Sequence, residues 1–337
     1  MPSREQAEAW LASYYAGRPV VVAGGNGFLG RNCVHELLRL GAEVAVMARK
    51  SCPLPGVKSL CGDLRDAAFV RQGIRGQAAV FDFAGSGGAL HSNRNPLANL
   101  EVELRAQLTL LHGCSRERSR PLVMFCSSRL VYGRPHSLPV GESHPLSPQS
   151  IYAAHKIAVE SYLNALGESN GLRYCIIRLS NPYGPFQPAG TRGYGIINQF
   201  LSAAAAGRPI RIFGDGQQRR DYICVNDVVT AFLLCAAEPS CERHVFNLGG
   251  ENGVTVREAA QMICELAGGT PLVHQPWPSE HMAIETGDYV SDLRKLHAFV
   301  ALPPQVPLRE GFSKTLAFYR DGVAGSRRAL AAPAAHV

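Results

Sequence analysis

Residues 19–30 read PVVVAGGNGFLG, and this stretch decides the fold. Val20, Val21 and Val22 make a short β-branched apolar run of the kind a buried parallel strand requires. Glycines follow at 24, 27 and 30 in the spacing G-x-x-G-x-x-G. From Phe28 the sequence FLGRNCVHELLRLG continues with helical periodicity and stops at Gly41, a residue suited to a helix C-cap. A strand, a glycine turn and a helix in that order form the context in which such glycines cradle a dinucleotide pyrophosphate. Glycine lets backbone N–H groups approach the phosphates, and the helix N-terminus adds partial positive charge. The alternative, a tight turn with no ligand, would need no such flanking elements.

Downstream, the same alternation repeats. EVAVMAR, AVFDFAG, PLVMFCSS and YCIIRLS read as strands, helices are expected over residues 97–114 and from near Tyr152, and the whole implies an α/β, Rossmann-like doubly wound parallel sheet. After residue 181 the pattern loosens into a smaller interleaved C-terminal lobe. It contains a Pro- and Gly-dense segment, a helix at INQFLSAAAAG, a short strand at IRIFG and a helix over 255–267 capped by Thr255. The expected division is a helical extension at 1–18, a dinucleotide domain at 19–180 plus 221–250, a substrate lobe at 181–220 plus 251–325, and a frayed tail at 326–337. In the extension, Ser3 and Gln6 have capping-box spacing, and Trp10, Leu11, Tyr14 and Tyr15 can form one apolar stripe.

Composition bounds the function. The 337 residues are 46% apolar and 18% charged, as in a folded globular chain, and the net charge of +7 is spread without a Lys/Arg block. That distribution argues against nucleic acid and fits anionic small molecules. The ten cysteines are scattered, with no Cys-x-x-Cys pair or Cys/His cluster, so no metal is expected and those in apolar runs, such as Cys126 and Cys175, read as buried thiols. With no leader and no apolar stretch long enough for a bilayer, the expected setting is the cytoplasm, without a membrane partner.

The chemistry is carried by SIYAAHKIAVE. Tyr152 and Lys156, four apart on one helix face, can work as a unit. A free phenol is a poor base at pH 7, and a neighbouring ammonium is expected to lower its pKa. Tyr152 can then exchange a proton with a substrate hydroxyl while a nicotinamide exchanges the hydride. Ser128, at the end of the FCSS strand, sits at the sheet edge where ligands of open α/β folds bind, and its hydroxyl can polarise the reacting oxygen. Ser127 reads better as a cap. The end of the second strand carries Ala48, Arg49 and Lys50 where an NAD-binding fold usually has an acid. Arg49 can hold the 2′-phosphate of NADP, or both basic residues form a solvated loop. Asp63, in LCGDLRD, is placed to meet the adenine edge. His91 reads as a loop residue able to border the nicotinamide or sugar, His155 as packing, and Asp227 as a helix cap.

Taken with RLSNPYGP, RRDYICVND and FNLGG, these motifs resemble the extended short-chain dehydrogenase/reductases, in particular sugar-nucleotide epimerases and dehydratases similar to UDP-glucose 4-epimerase, over roughly residues 19–320. The resemblance implies NAD, with NADP possible through Arg49. It implies cofactor contacts from Gly24, Gly27, Phe28, Leu29, Gly30, Arg49, Asp63, Leu64, Ala84, Tyr152 and Lys156. It also implies Ser128, Tyr152 and Lys156 as the catalytic set, and Ser128, Asn181, Tyr194 and Arg220 as contacts of a UDP-, dTDP- or other NDP-sugar, with Arg220 on the diphosphate. By analogy, helices 97–114 and 152–167 would pair two copies into a homodimer. Three places depart from the pattern. Arg129 and Leu130 stand where 4,6-dehydratases carry Asp-Glu, which turns the expectation toward C4 epimerisation. Glu103, Ala106 and Gln107 replace an Asn-x-x-Gly-Thr. Glu285 replaces a second phosphate-binding Arg before Gly-Asp. The other readings are an NADPH-dependent sugar-nucleotide ketoreductase and a non-catalytic dinucleotide sensor, the latter at odds with an intact Tyr–Lys pair.

Overall fold

Pro19–Ala23 forms β1, with the helix α2 (Phe28–Arg39) directly behind the glycine turn; α1 (Arg4–Tyr15) precedes both. The computed structural model describes residues 2–85, 88–187 and 195–331. Next come β2 (Glu43–Ala48), β3 (Lys58–Cys61), α3 (Ala67–Ile74) and β4 (Ala79–Asp82). The helices α4 (Gly88–Arg94), α5 (Pro96–Leu100) and α6 (Ala106–Arg116) lead to β5 (Leu122–Ser128), α7 (Ile151–Asn170) and β6 (Tyr174–Leu179). With strand Val245–Leu248 these strands make a seven-stranded sheet in the order Val245–Leu248, β6, β5, β4, β1, β2, β3. Every pairing is parallel, and β1 lies between β2 and β4 with Val21 opposite Ala45 and Val80. Strand order reverses between β1 and β4, which opens the crevice used by ligands of doubly wound sheets.

The all-apolar strands follow from burial on both faces. One face packs Val20, Val22, Phe81 and Met124 against α2 and the helix α9 (Val225–Ala237), which follows α8 (Ile196–Ala205) in the chain. The other packs Val21, Val80 and Phe125 against α6 and α7. A separate core joins Tyr183 and Tyr222 to Phe200 of α8, Ile263 of α10 (Val256–Leu266) and Phe312 of the C-terminal helix Leu308–Ala331. That helix runs to Ala331, into the segment expected to fray.

Several local expectations change. α1 has its capping box, but its buried stripe is Ala7, Leu11 and Tyr15, while Trp10 is 46% exposed and stacks on Tyr14. The helix expected over 97–114 is interrupted by a π-helical turn at Glu101–Arg105, and the preceding stretch, read as a loop around His91, is α4 with His91 exposed. Asp227 does not cap α9. It lies inside the first turn, pairs with Arg4 and accepts the Val306 N–H at 2.9 Å, so it ties α1 to the C-terminal segment. All ten cysteines are free, and among the described residues no helix is long and apolar enough to cross a membrane.

Candidate active site

The glycine turn is shaped by contacts that only glycine permits. Gly24 has φ +75°, and a Cβ there would lie 2.8 Å from the Phe83 carbonyl; a Cβ on Gly30 would lie 2.3 Å from the Gly24 carbonyl oxygen. Gly27 is the N-cap of α2 and offers no side chain, so the first-turn N–H groups stay available. The Asn26 side chain donates to the Lys50 carbonyl at 2.8 Å and ties the turn to the end of β2, while its buried amide oxygen has no partner. Free N–H groups on a tightly closed cradle fit a pyrophosphate, so these residues fit a nicotinamide dinucleotide. Phe28 and Leu29 pack at the rim of one apolar core and Leu64 and Ala84 at the rim of the other. Arg49 is exposed at the end of β2. Asp63 pairs with Arg65 at 2.6 Å, and that hydrogen bond, with a lesser pull from Arg49, holds its carboxyl down at about 2.

Ser128, Tyr152 and Lys156 come together at the carboxyl edge of the sheet. The N-terminus of α7 is held by α4: Ser92 Oγ accepts the Tyr152 N–H and Asn93 Oδ1 the Ile151 N–H, both at 2.9 Å, while Ser150 caps Ala153. Tyr152 is half-buried, and Ser128, whose Oγ accepts the Leu130 N–H at 3.2 Å, stands close enough to its hydroxyl to favour the charged form. Lys156 Nζ lies 4.8 Å from the Phe125 ring centre and 5.5 Å from that of Tyr152. Burial pushes the Tyr152 phenol above 10.0. Lys156 and Ser128 pull it down and Glu103 pushes it up. The expectation of a lowered phenol is therefore overturned: the ammonium acts in the foreseen direction, but desolvation outweighs it. Burial disfavours the Lys156 cation, and Tyr152, Glu103, Cys126 and Asp82 more than restore it, leaving its pKa above the usual value.

The acids around Lys156 are the main surprise. The π-helical turn carries Glu103, 1% exposed, to 3.7 Å from Lys156 Nζ. A π-turn inserts one residue into the helical register, a device common at functional sites. Asp82, the last residue of β4, is 1% exposed; its Oδ1 accepts the Ala84 N–H at 3.1 Å and Gln107 Nε2 at 3.3 Å, and its Oδ2 has no partner. Burial raises Asp82 to about 6 against the pull of Lys156. The FDFAG stretch and the Asn-x-x-Gly-Thr departure marked these positions, but neither indicated two carboxyl groups beside one ammonium. Ser127 is not a cap: its hydroxyl donates to Glu160, which also pairs with Arg178 at 2.6 Å. His155 packs, with Nδ1 2.9 Å from Asn99 Oδ1.

On the lobe side, Asn181 lies in strand Asn181–Tyr183, paired parallel with Tyr222–Cys224, and its amide donates to Ser180 Oγ at 2.8 Å and Asp221 Oδ1 at 3.3 Å. Arg220, 5% exposed, pairs with Glu285 and donates to the Gly287 carbonyl at 2.5 Å. The residue expected on the diphosphate thus already has an acid against it, supplied by the position where the resemblance expects a second Arg. Tyr194 lies outside the described residues.

A Rossmann sheet, a glycine cradle at the strand-order reversal and a Ser–Tyr–Lys cluster at the same edge define a dinucleotide-dependent enzyme of the extended short-chain dehydrogenase/reductase class. Residues 20–249 match the model of the NAD dependent epimerase/dehydratase family, and the chain belongs to that family. It is 31% identical to UDP-glucose 4-epimerase of Mycolicibacterium smegmatis over 89% of its own length and 98% of the relative's. The structure of the Thermus thermophilus UDP-glucose 4-epimerase complexed with NAD superposes with a TM-score of 0.81 at 32% identity, covering 90% of this chain and 99% of that one. The Thermotoga maritima UDP-glucose 4-epimerase with UDP-glucose gives 0.83 at 26%, covering 90% and 99%.

Proposed function

We propose that the chain is an NAD-dependent sugar-nucleotide 4-epimerase acting on a UDP-sugar. The observation that carries this reading is the convergence of Ser128, Tyr152 and Lys156 beside the glycine cradle. Tyr152 takes the proton of the substrate 4-hydroxyl and returns it. Ser128 hydrogen-bonds the same oxygen and orients it, and Lys156 favours the phenolate, the form of Tyr152 that can accept that proton. Bound NAD supplies the oxidising equivalent at carbon 4 and gives it back, so no net redox results. Asn181 and Arg220 hold the nucleotide end. Buried Arg129, where an Asp-Glu pair would serve 4,6-dehydration, favours inversion over loss of water. Incubation with NAD and UDP-glucose should interconvert UDP-glucose and UDP-galactose by proton NMR, and Tyr152→Phe should lower the rate at least about 100-fold. Release of a stable 4-keto-6-deoxy product, or stoichiometric consumption of NADPH with a keto sugar, would overturn the reading.

A homodimer fits the leucines of α5 and α6: Leu97, Leu100 and Leu108 are 79, 40 and 43% exposed, with Ile151 of α7 at 36%. Apolar side chains on neighbouring helices favour a covering partner, here a second copy. Light scattering should give twice the chain mass for the native protein and the chain mass for Leu97→Glu/Leu108→Glu. The ten free thiols, with Cys235 against Cys175 and Cys241, support a reducing, cytoplasmic setting.

A further inference from the structure

Arg129 directly follows Ser128 yet takes no part in the cluster around Tyr152. Its side chain is 8% exposed, and of its five N–H donors one is used, Nη1 to Thr286 Oγ1 at 2.9 Å; the guanidinium also lies 5.1 Å from the Tyr289 ring centre. No ion pair joins it to a carboxylate among the described residues. The nearby acids are engaged elsewhere: Asp221 accepts from Ser180 and Ser291, and Glu285 accepts from Arg220 and the Gly287 N–H. Burial, and then the like charge of Arg220, bring its pKa down to about 10. A guanidinium held out of water beside another cation is costly unless an anion completes it.

We propose that Arg129 is a diphosphate-binding residue of the substrate site, and that it supplies, from the β5 side, the second cation that Glu285 withholds. The inference rests on the sugar-nucleotide reading and names a residue that reading did not assign. Arg129 and Arg220 bond the same short loop, one through Thr286 and the other through Glu285 and Gly287, so two guanidinium forks stand over one place. Two adjacent forks match the two phosphoryl groups of a nucleoside diphosphate, each taken in a bidentate manner. Glu285 forms an ion pair with only one of the two guanidinium groups, and Asp221, held by Ser180 and Ser291, attracts Arg129 without pairing with it. It occupies Arg220 while the ligand is away and must yield part of that contact when phosphate arrives.

The test is isothermal titration of the full chain with UDP, UDP-glucuronic acid and uridine, for the native protein, Arg129→Gln, Arg129→Lys and Arg220→Gln, with the NAD content and melting temperature of each. Expected is UDP affinity weakened roughly 10- to 100-fold in Arg129→Gln, partial recovery in Arg129→Lys, and uridine affinity and NAD content unchanged. Glu285→Gln should tighten UDP. If Arg129→Gln melts lower but binds UDP as the native protein does, Arg129 is structural and the proposal falls. If only UDP-glucuronic acid weakens, the guanidinium takes a sugar carboxylate and the proposal falls as well. Loss of UDP affinity in Arg220→Gln alongside either result would leave the sugar-nucleotide reading standing. A native chain that binds UDP no tighter than uridine would overturn both.

Discussion

Asp82→Asn should make the protein more stable at neutral pH. Asp82 is 1% exposed, its Oδ2 has no partner, and burial lifts its pKa from 3.8 to about 6. A folded pKa above the unfolded one means that the folded state holds the proton more tightly. Folding is then undisturbed below about pH 4, and stability drains away as pH rises through the window from 3.8 to about 6. About two pKa units at 1.36 kcal/mol each amount to roughly 3 kcal/mol by pH 7. The figure needs no discount for solvent screening because the group is fully enclosed. Asparagine keeps the acceptor for the Ala84 N–H and for Gln107 Nε2, so little is lost in exchange. Its amide nitrogen replaces a partnerless oxygen. Urea unfolding of both proteins at a series of pH values from 4 to 8 should show a gap that is small at pH 4 and opens to about 2–3 kcal/mol by pH 7. A variant less stable than the native protein at pH 7, or a gap that does not change with pH, would refute the reasoning. The first result would mean that the attraction of Asp82 for Lys156 outweighs the cost of its burial, the second that the two balance.

Other consequences follow from the same geometry. Glu103→Gln removes a charge that raises both Tyr152 and Lys156, so both limbs of the pH dependence of kcat/KM should move to lower pH; an acid limb that stays put would show that Glu103 is electrostatically silent. Gly30→Ala puts a Cβ 2.3 Å from a backbone oxygen, which should cost about 1–3 kcal/mol of stability and strip NAD from the purified protein, read by absorbance of the denatured supernatant. Ser127→Ala takes one hydrogen bond from buried Glu160 and should lower stability by about 1–2 kcal/mol in urea, with the Glu160–Arg178 pair intact.

The sheet and its cradle were legible because their rules are local. An apolar β-branched run, a glycine at positive φ and a 3.6-residue period each act within a few positions, and Pro19–Arg39 shows all three. Ser128, Tyr152 and Lys156 were legible for the same reason: a strand end and one helical turn fix them. What the sequence hid depends on partners far along the chain. The loop expected around His91 is the helix α4, which matters because Ser92 and Asn93 accept N–H groups from residues some sixty positions later. The π-turn was invisible because Leu97, Leu100, Leu104 and Leu108 keep an ordinary helical spacing across it, while Glu103 turns inward. Four-residue spacing gave the sign of the Lys156 effect on Tyr152, but burial, which decides the outcome, is a property of the assembled core.

Each of two cations that the motifs mark, Lys156 and Arg220, has a carboxylate against it: Glu103 from the helix after β4, and Glu285 from a loop 65 positions beyond Arg220. Both acids stand where the resemblance expects an uncharged or a basic side chain. In a buried site a charge must be met by something, and before ligands arrive the chain meets it itself. On the proposed function, the phosphates of the nucleotide would compete with Glu285 for Arg220, and the charge of the cofactor with Glu103 for Lys156. Ligand affinity should be weaker than the cations alone would give. Arg129, a buried guanidinium at this edge with no ion-paired acid among the described residues, is where an arriving anion has no salt bridge to break.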